Sequence, residues 1–336
     1  MTTATGRSPA RKVSWKLGAV LAVATAAAVT GAAGQAAAGT AVRAAPGNAT
    51  GRIQSLLDHP VGGRVDLPPG TFTISPSLRL HQGERISGHG TTLKVASGSG
   101  DYAAVLSGVT PQTDLSGLRI SGITFDQNSA GNPLRSSGAL LHGQPRFVIL
   151  VSSGSSITIS SNRLIGTDGM DAIVTGSATS NVTISRNVIR AGDPLGHDQS
   201  SIYTSGRDTR IQGNTLSGTS MFGSAGIEVH GSSVTVTGNK VSGYPRGANI
   251  VASHTAFTGN TVTGALNPVD LWSVTAPGLT GVQVTGNTLG RDLGYWKRVY
   301  AARGRAFPAA MYTQMVIRDG SSAQPFRAIV VRGNRG

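Results

Sequence analysis

A short motif recurs six times between Ile157 and Gly290, and this repeat constrains the fold more than any other feature of the chain. Each copy has three or four alternating residues, then Asn, then one or two apolar positions and usually Gly; the copy from Val234 reads VTVTGNKVSG. The aligned asparagines are Asn162, Asn187, Asn214, Asn239, Asn260 and Asn287, at intervals of 25, 27, 25, 21 and 27 residues. A quasi-period of this length is typical of a solenoid in which each repeat forms one small supersecondary unit.

The composition favours short strands and tight turns over helices. Gly accounts for 47 of the 336 residues, whereas aromatic residues make up 5% and charged residues 13% of the chain. The chain is rich instead in Gly, Ser, Thr, Val and Asn, which suit strands and the turns between them. An all-β fold is therefore expected.

The first 45 residues have the pattern of an export signal followed by a short linker. A positively charged start contains Arg7, Arg11, Lys12 and Lys16. An apolar stretch from Leu17 to Gly34 follows, and Ala36 and Ala38 offer a small-residue cleavage site. A membrane anchor is the alternative, but the stretch is Ala-rich, only marginally long and not followed by stop-transfer charges. We expect a secreted protein with no stable membrane insertion after cleavage and, since it has no Cys, no disulfides.

The net charge of +14 is concentrated outside the repeats. Residues 1–45 carry five basic and no acidic side chains, and residues 291–336 carry nine basic and two acidic ones. Residues 46–290 carry fifteen basic and thirteen acidic side chains, so the repeat region is close to neutral. This distribution argues against a nucleic-acid partner. The basic C-terminal segment either contacts an acidic polymer, a cell wall or anionic lipid, or is a solvated tail.

The mature chain is expected to form one β-solenoid with a cap at each end. Arg52 to Asp58 places Ile53, Leu56 and Leu57 on one face of a short helix, which would cover the first turn of the solenoid. Alternating residues from Gly62 to Ala96 read as the first strands.

After Arg291 the repeat stops, and Trp296 and Tyr300 are expected to pack on the last turn of the solenoid. The predicted domains are therefore a signal peptide and linker at 1–45, a β-helix at 46–290 and a basic C-terminal cap at 291–336.

These features resemble the pectate-lyase-like right-handed parallel β-helix superfamily. The resemblance is carried by the short helix, by VDLPPGTF from Val65, by ISGHGTTL from Ile86 and by the repeated VTVTGN units. It covers roughly residues 50–290 and implies a right-handed parallel β-helix with three strands per turn and a stacked Asn between the second and third strands. Asn tolerates a left-handed backbone and its amide can bond the Asn above and below, so the Asn column is interpreted as structural.

The resemblance also implies that glycans bind along the first strand of each turn, in a cleft walled by the loops that enter it. This fold hosts many functions, so activity has to be argued from the site. The aspartate motifs of polygalacturonases and the Trp-Ile-Asp-His run of many pectate lyases are absent. No catalytic residue is therefore transferred by motif.

The strand register predicts which side chains face that cleft. Inward positions 11 to 15 residues after each Asn are Ile173, Ile202, Ile227, Ile250 and Leu271. Side chains alternate along a strand, which predicts three outward columns. One column contains Val174, Tyr203, Glu228, Val251 and Trp272. A second contains Ala172, Ser201, Gly226, Asn249 and Asp270. The third contains Gly176, Ser205, His230, Ser253 and Val274.

The candidate catalytic residues are Glu228, His230, Tyr203 and Asp198. The candidate substrate-binding residues are Trp272, Asp270, Asn249, Arg246 and His197. Tyr203 and Glu228 are expected as direct neighbours on adjacent turns, with His230 on the same face. The structural alternatives are a solvated Glu228, an idle surface His230, aromatic side chains packed under loops, turn formation by Asp198, and a rim ion pair between Asp270 and Arg246.

Two chemistries fit this set of residues. A lyase would use His230 or Tyr203 to remove the proton beside a uronate carboxyl, with Arg246 neutralising that carboxylate. A glycoside hydrolase or transglycosidase would pair Glu228 with Asp198 or Asp270. Lyase chemistry is slightly preferred because Tyr, His and Arg converge on one face, and a non-catalytic glycan-binding adhesin is the third hypothesis. The glycan, any Ca²⁺ requirement and the oligomeric state stay open.

Overall fold

The computed structural model describes residues 47–99, 102–133, 146–167, 171–191, 199–218, 225–273, 278–302, 304, 306–307, 315–320 and 325–336. The predicted signal peptide and linker lie outside these residues.

The described chain winds into a parallel β-helix, which confirms the predicted fold. Each turn of the solenoid, here called a rung, contributes one strand to each of three parallel sheets. The first sheet contains β3 (Leu78–Leu80), β5 (Ala104–Gly108), β7 (Phe147–Ser160), β9 (Asp171–Ser185), β11 (Ser200–Thr204), β14 (Ala225–Val229), β17 (Arg246–Ile250), β20 (Asn267–Ser273) and β24 (Val316–Gly320). The second contains β1 (Arg64–Leu67), β4 (Arg85–Val95), β6 (Arg119–Asp126), the later parts of β7 and β9, β12 (Arg210–Gln212), β15 (Thr235–Thr237), β18 (Ala256–Thr258), β22 (Gln283–Thr285) and β26 (Val330–Arg332).

The third sheet begins with β2 (Gly70–Ile74) and continues through the later parts of β4 and β6. It then contains β8 (Arg163–Thr167), β10 (Val188–Ala191), β13 (Thr215–Gly218), β16 (Lys240–Ser242), β19 (Thr261–Ala265) and β23 (Thr288–Arg291). A separate parallel pair joins β21 (Leu279–Thr280) to β25 (Phe326–Arg327).

Inward side chains of successive rungs stack into a continuous apolar core. In the second sheet, Ile184, Ile211, Val236, Phe257 and Val284 are in register and fully buried. Burying one such side chain contributes roughly 1.5–3 kcal/mol, so stacked apolar columns can stabilise the chain without disulfides.

The Asn column forms a hydrogen-bonded ladder between the second and third sheets. The backbone N–H and Nδ2 of Asn214 both donate to Oδ1 of Asn239, each at 2.9 Å. Asn239 donates in the same way to Oδ1 of Asn260, again at 2.9 Å. The six predicted asparagines are at most 1% exposed. The interpretation of the column as structural fits these contacts.

The expected left-handed backbone belongs to the residue before each Asn, not to the Asn itself. Gly213, Gly238, Gly259 and Gly286 have φ values of 63° or 64°, and Arg186 stands at 54° in the same position. The Gly of the repeated Gly-Asn pair therefore supplies the turn conformation, and the Asn supplies the amide that connects the rungs.

The predicted N-terminal helix is α1 (Thr50–Asp58), which packs against β1 and β3. Its Ile53 and Leu57 are 0% and 1% exposed and join the core of the solenoid. The helix therefore covers the first rung as expected.

The solenoid continues beyond residue 290, where the sequence analysis ended it. After α2 (Leu293–Ala302), β24 pairs with β20 and β26 pairs with β22. Asn334 extends the ladder by accepting hydrogen bonds from the backbone N–H and Nδ2 of Asn287 at 3.0 and 2.8 Å. The helix and its flanking segments separate these two asparagines by 47 residues, so the repeat period did not reveal this rung.

Helix α2 packs beside the solenoid. Trp296 is fully buried against Leu266, and its Nε1 donates to the carbonyl of Gly264 at 3.0 Å. Tyr300 belongs to the same small cluster, outside the main core. Among the described residues, neither helix is long and apolar enough to cross a membrane.

Candidate functional site

A column of polar side chains runs along the outward face of the first sheet. Tyr203 is in register with Glu228 on the next rung, which confirms the predicted pairing of these two residues. Asn249 follows Glu228, and Asp270 follows Asn249. The residues that flank Glu228 along its strand are apolar and fully buried, so this carboxylate projects from a rigid strand whose neighbours anchor the core.

Val251 and Trp272 do not lie in the column of Glu228 as predicted, because the rungs that contain β17 and β20 are shifted by two residues. Ile250 pairs with Val229, whereas the sequence pattern aligns it with Ile227. A shift of two leaves every side chain on its original face, so the inward–outward alternation cannot detect it.

The same shift changes the surroundings of three candidates. Asn249 and Asp270 enter the column of Glu228, although the sequence analysis placed them in another. Trp272, which is partly buried, falls instead in the column that contains His230, two rungs further on.

The predicted outward positions Ser201 and Gly226 are buried. Ser201 is 0% exposed and its hydroxyl is hydrogen-bonded to that of Tyr244. A side chain at Gly226 would collide with Val241. The first three residues of each of these two strands are all buried, so exposure does not alternate there as the sequence pattern predicts.

The carboxylate of Glu228 is the centre of the cluster. Its Oε1 accepts hydrogen bonds from Nε2 of His230 at 2.9 Å and from Nδ2 of Asn249 at 3.1 Å. Its Oε2 accepts a hydrogen bond from Oγ of Ser200 at 2.8 Å. The side chain is 14% exposed, so these three donors largely replace water around the carboxylate.

These contacts keep Glu228 ionised. Burial alone would raise the pKa of its carboxyl, but the hydrogen bonds from His230 and Ser200 and the positive charge of Arg246 outweigh burial and lower the pKa. Glu228 is therefore an acceptor and an orienting charge rather than a proton donor near neutral pH.

His230 is held on two sides. An ionised carboxylate can only accept hydrogen bonds, so Nε2 carries the proton that faces Glu228, and Nδ1 of the neutral ring keeps a lone pair. The ring stacks on Tyr203 with centroids 4.8 Å apart and planes inclined by 28°. The His230 side chain is 27% exposed and is therefore partly accessible to solvent. The arrangement orients an imidazole base in the way that a carboxylate orients the histidine of a catalytic triad.

Asp270 and Arg246 form the ion pair that the sequence analysis named as their structural alternative. Nε of Arg246 lies 3.2 Å from Oδ2 of Asp270. The Asp270 side chain is 8% exposed, whereas that of Arg246 is 37% exposed. The pair therefore lies partly inside the column, with the guanidinium toward solvent.

Ser200 is a member of the cluster that the sequence analysis missed. It precedes Tyr203 by three residues, and its backbone N–H donates to Oδ1 of Asp171 at 2.8 Å. Ser200 is the first residue of β11, where three successive residues are buried, so the alternation used to find outward residues did not identify it. The candidates His197 and Asp198 lie outside the described residues.

Asn249 carries a further polar atom toward this site. Its Nδ2 is bound to Glu228, while its Oδ1 is buried and has no hydrogen-bond partner within the described part of the chain. In the same described ranges, no group of three or more His, Asp or Glu side chains is arranged to hold a metal ion.

The comparisons with known proteins agree with the fold. A family model described as a right-handed β-helix region matches residues 116–289. A search of curated proteins finds no match.

Among solved structures, the chain is similar to tailspike proteins of E. coli bacteriophage HK620. A mutant tailspike in complex with a pentasaccharide has a TM-score of 0.68 and 17% identity, with 86% of this chain and 53% of that chain covered. The tailspike protein in complex with a pentasaccharide has a TM-score of 0.65 and 16% identity, and a mutant in complex with a hexasaccharide has a TM-score of 0.63 and 16% identity. In both comparisons 86% of this chain and 53% of the tailspike chain are covered. The chain thus spans about half the length of the tailspike chains that it matches.

Proposed function

This chain belongs to the right-handed β-helix family, and from that premise we propose that it binds an acidic polysaccharide along its first sheet and cleaves it by β-elimination. The observation that carries this proposal is the hydrogen bond between His230 and the ionised Glu228, with Tyr203 stacked on the imidazole. The tailspike structures with bound penta- and hexasaccharides support a glycan ligand for a β-helix of this kind.

The elimination requires a base, a proton donor and a cation. In the proposed step, Nδ1 of His230 takes the proton from the ring carbon beside the uronate carboxyl. The electrons of that C–H bond form a double bond to the adjacent carbon, whose bond to the glycosidic oxygen breaks. The hydroxyl of Tyr203 donates a proton to the departing oxygen.

Glu228, Arg246 and Asn249 would support this step without exchanging protons. Glu228 fixes the tautomer of His230 and stabilises the imidazolium that forms. Arg246 is the partly exposed cation beside the column, and its positive charge would stabilise the uronate carboxylate. Asn249 would hold the carboxylate of Glu228 in place through the hydrogen bond from its Nδ2.

Hydrolysis by paired carboxylates is the second candidate. Glu228 and Asp270 stand in one column on rungs about 9.6 Å apart, near the separation of roughly 6.5–9.5 Å found in inverting enzymes. That mechanism needs one protonated carboxyl, whereas Glu228 is kept ionised and Asp270 is held by a guanidinium. This contrast favours elimination. We further propose that the protein is secreted, on the basis of its N-terminal sequence alone.

The assay follows two signals from the same digests. The protein is incubated with polygalacturonate, alginate and neutral glycans, and unsaturated uronate ends and reducing ends are measured together. Elimination produces both signals, whereas hydrolysis produces reducing ends alone. Binding without either signal would favour the adhesin.

Variants test the assignment of the residues. His230→Ala is expected to lower kcat by roughly 10²–10⁴-fold, the usual contribution of a positioned acid or base. His81→Ala is a matched control, because Nε2 of His81 lies 2.9 Å from Oδ1 of Asp58 in a second His–carboxylate pair on another part of the solenoid. Full activity in His230→Ala, or an equal loss in His81→Ala, would contradict the assignment.

A further inference from the structure

Three arginines form a ladder on the outward face of the second sheet, near its N-terminal end. Arg64 is in register with Arg85, and Arg85 is in register with Arg119. All three side chains are exposed. Adjacent strands are about 4.8 Å apart, so the three positions span about 9.6 Å along the solenoid. We call this set the arginine ladder.

Carboxylates of the described residues do not neutralise the positive charge of the arginine ladder. None of its guanidinium groups forms an ion pair with a carboxylate among the described residues. The acidic side chain on the same face is Asp66, two residues after Arg64, and it accepts a hydrogen bond from Ser87. Asp114, at the turn before Arg119, accepts hydrogen bonds from Ser116 and Gln82.

Such an arrangement places like charges beside one another, and a bound anion would offset the repulsion between them. Like charges directly opposite each other on neighbouring strands destabilise a sheet. The region from 46 to 290 is nearly neutral, with fifteen basic and thirteen acidic side chains, so the ladder is a local concentration of positive charge in a balanced body. The register also places each guanidinium one strand spacing from the next, which suits a ligand with regularly repeated negative charges.

We propose that the arginine ladder is a second binding site, specific for the carboxylates of an acidic polysaccharide. Each guanidinium can bind one carboxylate through two parallel hydrogen bonds. The adjacent row on the same face contains Asp66, Ser87 and Ser121, and the hydroxyl of Ser121 suits a hydroxyl of a sugar chain. A single-stranded nucleic acid fits less well, because those neighbouring positions provide no aromatic side chain on which a base could stack.

The site is separate from the one that contains Glu228. The ladder lies on the second sheet, whereas Glu228 lies on the first. The inference therefore goes beyond the proposed cleavage and does not depend on it. A second site of this kind would hold the polymer on the protein between cleavage events.

Binding to polygalacturonate at low ionic strength tests the proposal. A triple variant with Arg64→Gln, Arg85→Gln and Arg119→Gln is compared with a charge-matched triple variant with Arg163→Gln, Arg190→Gln and Arg210→Gln. The control arginines are also exposed strand residues, but their register neighbours are Thr, Ser or Val. Thermal unfolding of each variant checks that the fold is retained.

We expect the ladder variant to bind polygalacturonate about tenfold more weakly, with a smaller dependence on salt, and the control variant to bind within about twofold of the wild type. An equal loss in both variants would overturn the proposal, because binding would then follow net charge. Equal binding to neutral dextran, or stronger binding to a single-stranded oligonucleotide, would also overturn it. The same comparison in the His230→Ala variant separates the two sites. Binding of polygalacturonate that depends on the ladder arginines should persist in this variant, and it should be present even if neither the wild type nor the variants cleave the polymer.

Discussion

Replacing Asn239 by Ala removes one step of the ladder from its middle. Oδ1 of Asn239 accepts both the backbone N–H and Nδ2 of Asn214, and its Nδ2 donates to the carbonyl of Ile211 and to Oδ1 of Asn260, all at 2.9 Å. Both Asn214 and Asn239 are fully buried, so water cannot easily replace these contacts.

The expected loss follows from the groups left behind. The N–H of Asn214 loses its acceptor, at a cost of roughly 1–3 kcal/mol, and each further lost hydrogen bond costs about 0.5–1.5 kcal/mol. Some partners survive, because Nδ2 of Asn214 still reaches the carbonyl of Ile184 and Oδ1 of Asn260 still accepts the N–H of residue 239. We expect Asn239→Ala to lower the free energy of unfolding by about 3 kcal/mol.

Asn334→Ala provides the internal comparison. Asn334 also accepts two hydrogen bonds from the preceding Asn, but it is only half-buried at the last described rung, where water can take its place. We expect a loss of about 1 kcal/mol at this position. Urea unfolding followed by circular dichroism measures both changes, with the exposed neighbour Lys240→Ala as the control. Equal midpoints for Asn239→Ala and Lys240→Ala would refute the reasoning.

Three further predictions concern stability. Burial raises the pKa of Glu84, and the hydrogen bond from the backbone N–H of His81 only partly opposes this effect, so the folded protein loses stability as the pH rises through the raised pKa. We therefore expect Glu84→Gln to stabilise the protein at neutral pH. The urea midpoint should be higher than that of the wild type at neutral pH but not at acid pH. The pKa of Glu228 is lowered, so ionised Glu228 stabilises the folded protein above the ordinary pKa of Glu, and this stability is lost as the pH falls through the folded-state pKa. In Glu228→Gln, stability should therefore depend less on pH in the acid range, as measured by acid unfolding followed by fluorescence. An acid transition identical to that of the wild type would contradict this. Gly238 has a φ of 63°, and no atom lies within 4 Å of the position that a Cβ would take. Gly238→Ala should therefore lower the free energy of unfolding by about 1 kcal/mol through backbone strain alone. A calorimetric stability equal to that of the wild type would exclude backbone strain as a cost at this position.

The repeat was sufficient to predict the fold because its Asn marks the same turn in each of six successive rungs from Asn162 to Asn287. It could not reveal Asn334, since α2 separates that residue from Asn287 by 47 residues. Nor could it distinguish the left-handed Gly from the Asn that follows it, because the two residues occur together in most copies.

The candidate site was predictable to the extent that alternation is unambiguous. Tyr203, Glu228 and His230 were placed on one face, and the structure brings them into contact. The neighbour of Glu228 on the next rung was not predictable, because side-chain alternation repeats every two residues. A register shift of two residues, which places Asn249 beside Glu228, therefore leaves the alternation unchanged. The hydrogen bond from Ser200 to Glu228 was also not predictable, because Ser200 begins β11, where buried and exposed residues do not alternate.

The column that begins at Tyr203 and ends at Asp270 takes one side chain from each of four successive rungs. The Asn ladder, in contrast, repeats the same contact at each rung from Asn162 to Asn334 and lies on another edge of the solenoid. Duplicating or deleting one whole repeat would therefore leave the scaffold intact while it changed the order and spacing of the cleft residues by one step of about 4.8 Å. In a protein of this construction, the specificity of the cleft and the length of the solenoid can change through the same genetic event, and the fold would tolerate many such events that the chemistry would not.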